Sequence, residues 1–329
     1  MPKGLVTQSF CILLRKPVSL DLVRAALQRF GDCRDVPAAE SWAFGGPSLN
    51  YTLEPNSKGS VVVDVVDKPW PDTMGHPDDE PMIFGAWSLG HFGPFTYPGS
   101  LERTQEQCWM WEDGTSTAAE HQAFVRVRVG YSFGDNHDAA IMPDDYAALA
   151  ELNYITTMAA ALLSLPGALC YFNPNGETLL DERLFEEGRA YAEQTEIPPL
   201  DLWSNVRLYN IDEQWVLMDT VGNEQFEGKD CEACFLTENY DLQEVNAFLR
   251  NLSLLSMNHP DAIEEGMDLD GPGRVKWRLE LADSACPAPR PVLRWLPVDG
   301  SEFPREKLQS TGDEDTEGES ESSESSDSV

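Results

Sequence analysis

Positive charge is scarce in this chain. Its 23 lysines and arginines stand against 57 aspartates and glutamates in 329 residues, a formal net charge of −34. Polyanions are bound by cations that displace counterions, so neither nucleic acid nor an anionic membrane is expected as a partner. Long hydrophobic runs are also missing. The best stretch, residues 149–165, is broken by Glu151, Asn153 and two threonines, short of the ~20 apolar residues that span a bilayer. The first residues, MPKGLVTQSF, carry no basic start, apolar run or small-residue cleavage site of a signal peptide, which predicts a cytoplasmic protein. Cysteines are few, odd in number and scattered (Cys11, Cys33, Cys108, Cys170, Cys231, Cys234 and Cys286), which argues for reduced thiols rather than a disulfide framework.

Catalytic signatures are lacking as well. None of His76, His91, His121, His137 and His259 accompanies a Gly-x-Ser-x-Gly elbow, and no glycine loop leads into the Lys-Ser/Thr pair that cradles phosphate. The single CxxC, Cys231 to Cys234, has no second pair for zinc. It also reads as strand, where positions three apart face opposite sides. Counted from Asp268, the twelfth position of MDLDGPGR is Leu279, not the glutamate of an EF-hand loop, so the glycines there mark a turn. The residues thus lean away from an enzyme. No catalytic residue and no cofactor is assigned, and oligomeric state is left open.

What is present is a large apolar complement, 41% of residues with nine tryptophans, enough for a substantial core. Strands are expected at Leu5–Leu14, Leu49–Leu53, Ser60–Val66 and in FVRVRVGYSF, where Val125, Val127 and Val129 alternate inward and Arg126 and Arg128 outward. Helices are expected after Ser19 and Ser100, each acting as cap. A buried connecting helix, Tyr146–Leu165, leads to a second series: strand ALCYFNP, helix 182–193, strands Val206–Ile211 and Trp215–Val221, a helix capped by Asp241 with Glu244, and strand RVKWRLEL. VVVDVV around Asp64 echoes VLMDTV around Asp219, and VRVRV echoes VKWRL. The expected fold is α+β, with two related βαββαβ (split βαβ, ferredoxin-like) halves joined by the buried helix. The expected divisions are 1–140, 141–300 and a tail, 301–329. From Thr311 that tail is Ser/Glu-rich with no apolar residue before Val329, so disorder is predicted.

Several segments resemble a bacterial family known as domain of unknown function 4261 (DUF4261). They are LDLWSNVRLYNIDEQWVLMDTVG, DLQEVNAFLRNLSLLS and DGPGRVKWRLEL followed by PRPVLRW; WSLGHFGPFTYPG and ALCYFNPNGE also look similar to members. The likeness runs to about Pro297 and is firmest from Leu200. It implies a globular bacterial protein and supplies no activity, cofactor or site residue.

Candidate sites centre on the insert 67–99, DKPWPDTMGHPDDEPMIFGAWSLGHFGPFTYPG. Glycine and proline stiffen such a segment and lower the entropy lost on binding. Trp70, Trp87, His91, Phe92, Phe95 and Tyr97 offer rings for an anchor pocket, or else cover the sheet. His76, Asp78, Asp79 and His91 could together hold a divalent cation, although their spacing fits no ligand motif and acids on a proline-flanked loop are usually just solvated. Asp64, in an otherwise apolar strand, needs a partner such as Arg126 or Arg207; as a lone acid it would be a general base. The leading reading is a non-enzymatic binding protein that grips a basic protein partner, for which an immunity-type or adaptor role would suit. The alternatives are a metal-dependent hydrolase at the His76 and His91 region, and a small-ligand site in the cleft between the halves.

Overall fold

The computed structural model describes residues 3–38, 44–53, 58–132 and 140–306. The tail from residue 307, residues 54–57 between two of the expected strands, and His137 lie outside the described residues. Among the described residues, two sheets and eight α-helices make an α+β fold. Strands β1 (Gln8–Leu14), β2 (Cys33–Val36), β3 (Ser48–Thr52), β4 (Ser60–Val66), β5 (Ala123–Gly130), β6 (Ala168–Asn173) and β7 (Thr178–Leu180) form the first. Its order is β2-β3-β4-β5-β1-β6-β7, antiparallel throughout. Strands β8 (Asn205–Asn210), β9 (Trp215–Val221), β10 (Asp230–Leu236), β11 (Asp268–Asp270), β12 (Lys276–Asp283) and β13 (Pro291–Pro297) form the second, ordered β11-β12-β13-β10-β9-β8. Only β10 and β13 run parallel there.

This strand order differs from paired ferredoxin-like halves. A split βαβ unit sets two parallel strands on either side of a third. The first sheet has this in β1 and β4 about β5, with β6 rather than β5 as the last strand beyond β1, while the second sheet places its parallel pair β10 and β13 side by side. The division expected at residue 141 also differs from that of the sheets. Once β5 occupies one edge of β1, the other edge stays open; β6, apolar on both faces, fills it, so the first sheet reaches residue 180.

Each sheet has one largely apolar face. In the first, Phe10, Ile12 and Leu14 of β1 with Val125, Val127 and Val129 of β5 point to the long helix α5 (Ala148–Leu163). That helix returns Leu152, Ile155, Met158, Ala159 and Leu162 at helical spacing. Helices α1 (Leu20–Ala26), capped by Ser19 as expected, and α6 (Glu182–Thr195) complete the layer. In the second sheet, Met218, Ala233, Trp277 and Trp295 meet Val245, Phe248, Leu249 and Leu252 of α8 (Leu242–Asn258), whose cap is Asp241.

One carboxyl group interrupts the α5 layer. Glu151 is buried and accepts from Tyr131 Oη at 2.5 Å and Thr7 Oγ1 at 2.7 Å. Burial pushes its carboxyl up to about 7 from 4.5, the two donors opposing. A raised folded-state value means that stability is full below pH 4.5 and is lost as the pH climbs through 7. Wild type should therefore lose about 3 kcal/mol relative to Glu151→Gln between pH 4.5 and 8.5. Urea unfolding of both proteins across that range checks this, and parallel pH curves would refute it.

Candidate functional site

The other face of each sheet carries the ionisable residues, again by strand alternation. On the first sheet it is covered by the insert together with α3 (Ser100–Glu106) and α4 (Gly114–Ala119). The insert is not one long loop: Pro81 opens a helix, α2 (Pro81–Ser88). Trp70, Trp87 and Phe92 are buried. The Trp70 ring meets Trp87, Phe92, Phe124 and Phe172 at centroid distances of 6.1, 5.5, 5.4 and 5.3 Å, mostly edge to face. His121 Nε2 accepts from the Trp70 backbone N–H at 2.9 Å, so its Nδ1–H donates to Ala118 O at 2.6 Å. Asp72 reaches across 29 residues to cap α3, accepting from Leu101 N and Glu102 N at 2.8 Å each. That carboxylate, rather than Ser100, holds the helix start, and the residue before the helix is Gly99. Three of the rings expected to anchor a ligand are thus the core beneath a cover.

Asp64, Arg126 and His91 do come together, under that cover. β4 and β5 pair Asp64 with Arg126 in register, and the guanidinium forks onto the carboxylate at 3.1 and 2.6 Å. Arg126 is fully buried rather than outward-facing, because this sheet is covered on both sides. Arg128 adds a longer contact to Asp64 at 3.4 Å. Burial alone would raise the Asp64 carboxyl, but the Arg126 and Arg128 charges hold it below its ordinary value, the reverse of a general base. His91 is pushed down to about 2, by burial and then by the same two arginines. Its Nε2 bonds Phe44 O at 3.0 Å. A neutral imidazole in this position fills space and does not titrate near pH 7.

On the second sheet the corresponding pair is Asp219 with Arg207, in register across β8 and β9 at 3.0 and 2.5 Å. The echo of VRVRV is therefore β8, and not VKWRL, whose Arg278 is an exposed partner of Asp268. Arg290 also binds Asp219 (2.6 Å) and Asp230 (2.7 Å), and Arg294 binds Glu232. Glu177, in the turn between β6 and β7, accepts from Arg207 at 2.7 Å and from Arg103 of α3. One carboxylate thus ties the cover, the first sheet and the second. Close backbone approach accompanies it: a Cβ on Gly176 would lie 1.8 Å from Trp203 O. Sequence reasoning missed this network. Its one signal was an arginine in the VRLYN strand, within reach of the acid in VLMDTV.

Asp219, Glu232 and Cys286 form a tight trio of side chains with metal-binding atoms. Their chemistry does not suit a metal. Asp219 is neutralised by Arg207 and Arg290, while Glu232 accepts from Arg294, Ser284 and the Ala285 N–H. Burial, first among the causes, raises the Cys286 thiol well above its ordinary value. The four residues expected to share a cation are not brought together: His76, Asp78 and Asp79 are exposed, while His91 is held inside against Phe44 and Arg126. They do not form a ligand cluster among the described residues.

Phe95 and Tyr97 reach a different place, a narrow cleft at the junction of the sheets, beside Asn175, Glu224, Asp230 and Arg290. The Lys3 ammonium sits 3.5 Å from the centre of the Tyr97 ring. Arg290 and Asn175, the polar groups at its centre, are occupied internally. Arg290 Nε, Nη1 and Nη2 bind Asp230, Ser284, Ala288 O, Asp219 and Thr220 O. Asn175 binds Phe95 N, Thr96, Ser9 and Asn173. Such a cleft is built to join two sheets.

What the insert leaves in solvent is the outer face of α2. Met82 and Leu89, two helical turns apart, are 51% and 70% exposed. Beside them runs the N-terminal segment: a Cβ on Gly4, which has φ +71°, would sit 2.0 Å from Leu89 O, and the neighbouring Leu5 is 51% exposed. Asp78, Asp79 and Glu80 stand exposed just ahead of the helix.

No helix among the described residues is long and apolar enough to cross a membrane. No curated protein and no solved structure matches the chain. Residues 219–296, which run from Asp219 through Arg290 and Arg294 to Leu296 in β13, match the model of the family described as Domain of unknown function (DUF4261), and this part of the chain is DUF4261-like.

Proposed function

We propose that the protein is a non-enzymatic binding protein that takes a basic protein partner on the outer face of α2 and the acids before it. The observation that carries this reading is the exposure of Met82, Leu89 and Leu5 beside Asp78, Asp79 and Glu80. An apolar centre with an acidic rim suits a cationic, amphipathic surface. The apolar contact supplies the affinity, and the charge supplies the encounter rate and the choice of partner. The buried ionisable residues support the same reading, since their charges are spent on one another. A role as an adaptor or immunity-type protein fits such a surface.

Replacing both apolar residues, Met82→Ser with Leu89→Ser, removes the apolar centre at exposed positions without changing the charge and should leave the fold intact. It is expected to weaken capture of basic proteins from a lysate at low salt at least tenfold, on the order of one interface hot spot. The captured set, identified by mass spectrometry, should fall away as salt rises. Equal capture by the variant, or capture indifferent to salt, would count against this surface.

A further inference from the structure

A second concave surface lies away from α2, where the helices of the two sheets meet. Between α6, the segment leading into α7 (Leu200–Trp203), and α8 runs a half-open groove with about 260 Å³ of space for a ligand. That is close to the lower end, ~300 Å³, of the range usual for small-molecule sites. Tyr191, Ile197, Pro198 and Leu254 make it largely apolar. One cation faces it. Arg250 of α8 is 18% exposed and is anchored by donating to Ser204 Oγ at 2.8 Å and Ser204 O at 2.9 Å. Its anionic partner is Asp201 at 2.6 Å, a side chain 56% exposed.

This pairing is lopsided. The guanidinium is fixed and mostly desolvated, while its carboxylate stands in water and can turn away at little cost. A carboxylate carried by a ligand would meet the same fork with the same charge. Its apolar remainder would then cover rings and aliphatic side chains that solvent now reaches. A cationic ligand would meet Arg250 instead, and an uncharged one would leave the ion pair to be covered without compensation.

We propose that this groove binds a small amphiphilic carboxylate, of the medium-chain fatty acid or arylalkanoate class. Its headgroup replaces Asp201 on Arg250, and its apolar body lies along Tyr191, Ile197, Pro198 and Leu254. The site is separate from the α2 surface, and each can fail without the other.

The test is calorimetric titration of the full chain with decanoate below its micellar concentration, with decanol and decyltrimethylammonium alongside. Decanoate should bind with one-to-one stoichiometry, at least about tenfold tighter than either counterpart, as one charge-assisted pair implies. Asp201→Asn removes the competing carboxylate. It should tighten decanoate by up to about tenfold and leave decanol unchanged, a gain that damage to the fold would not produce. Leu254→Trp and the rim variant Ile197→Trp should each abolish binding. The proposal is overturned if decanol binds as well as decanoate, if Asp201→Asn has no effect, if both tryptophan variants still bind, or if decanoate does not bind at millimolar concentration. It is also overturned if Leu254→Trp abolishes capture of basic proteins while decanoate does not bind, which would give the groove to the protein partner.

Discussion

Asp64→Leu is expected to destabilise the protein by about 3–5 kcal/mol, because breaking a buried ion pair leaves uncompensated charge. In this variant Arg126, fully buried, and Arg128 would face each other with only a neutral His91 between them. Burial, followed by repulsion from Arg126, already lowers Arg128 to about 10; without Asp64 the pair has no carboxylate. Asp64→Leu combined with Arg126→Leu should recover part of the loss, since an apolar pair of similar volume needs no compensation. The wild-type contribution has a defined pH window. The folded-state carboxyl lies below 3.8, so the stabilisation is present above that value and is lost as the pH falls through the depressed one. Urea unfolding at pH 7 measures the effect. A loss below 1 kcal/mol would mean that the cluster is hydrated and the cover loose.

Arg207→Leu is the second large effect, again about 3–5 kcal/mol. Arg207 is fully buried and serves two carboxylates, Asp219 on its own sheet and Glu177 on the other. Its charge is held well above the ordinary value, because Asp219 and Glu177 together outweigh burial. Arg290 would still hold Asp219 and Arg103 would still hold Glu177, but the charged link between the sheets at Glu177 would be cut, leaving neutral bonds such as Asn205 to Glu177 O. Hydrogen exchange should therefore quicken most in β7 and β8, the strands at this junction, and less in β1 or β5. A uniform rise over the whole chain would indicate global destabilisation and no special joint.

Much of the layout was legible in the sequence. The alternation in VRVRV and in VVVDVV marked β5 and β4, and Ser19 and Asp241 marked two helix starts. The demand of Asp64 for an arginine was legible too, and Arg126 meets it. Less legible was the second face of each sheet. Alternation shows which residues share a face and says nothing of what lies upon it, so Arg126 read as solvated when it is buried and donates to the carbonyls of His91 and Phe44. Strand order was hidden for a related reason. The open edge of β1 accepts β6 or a crossover strand equally well on local propensity, and only the assembled hydrogen bonds decide. The rings of the insert were readable as aromatic anchors, but not as facing inward. That direction depends on contacts such as Asp72 to α3 and Trp70 N–H to His121, which span 29 and 51 residues.

The outer face of α2 is best tested by a photo-crosslinking residue in place of Leu89, with one in place of Met110 as a control of comparable exposure. The expected result, in cells or in a low-salt lysate, is one or a few discrete adducts with basic proteins from position 89, fading as salt rises and absent from position 110. Adducts that are equally abundant at both positions, or that persist unchanged in high salt, would contradict an acidic docking face at α2.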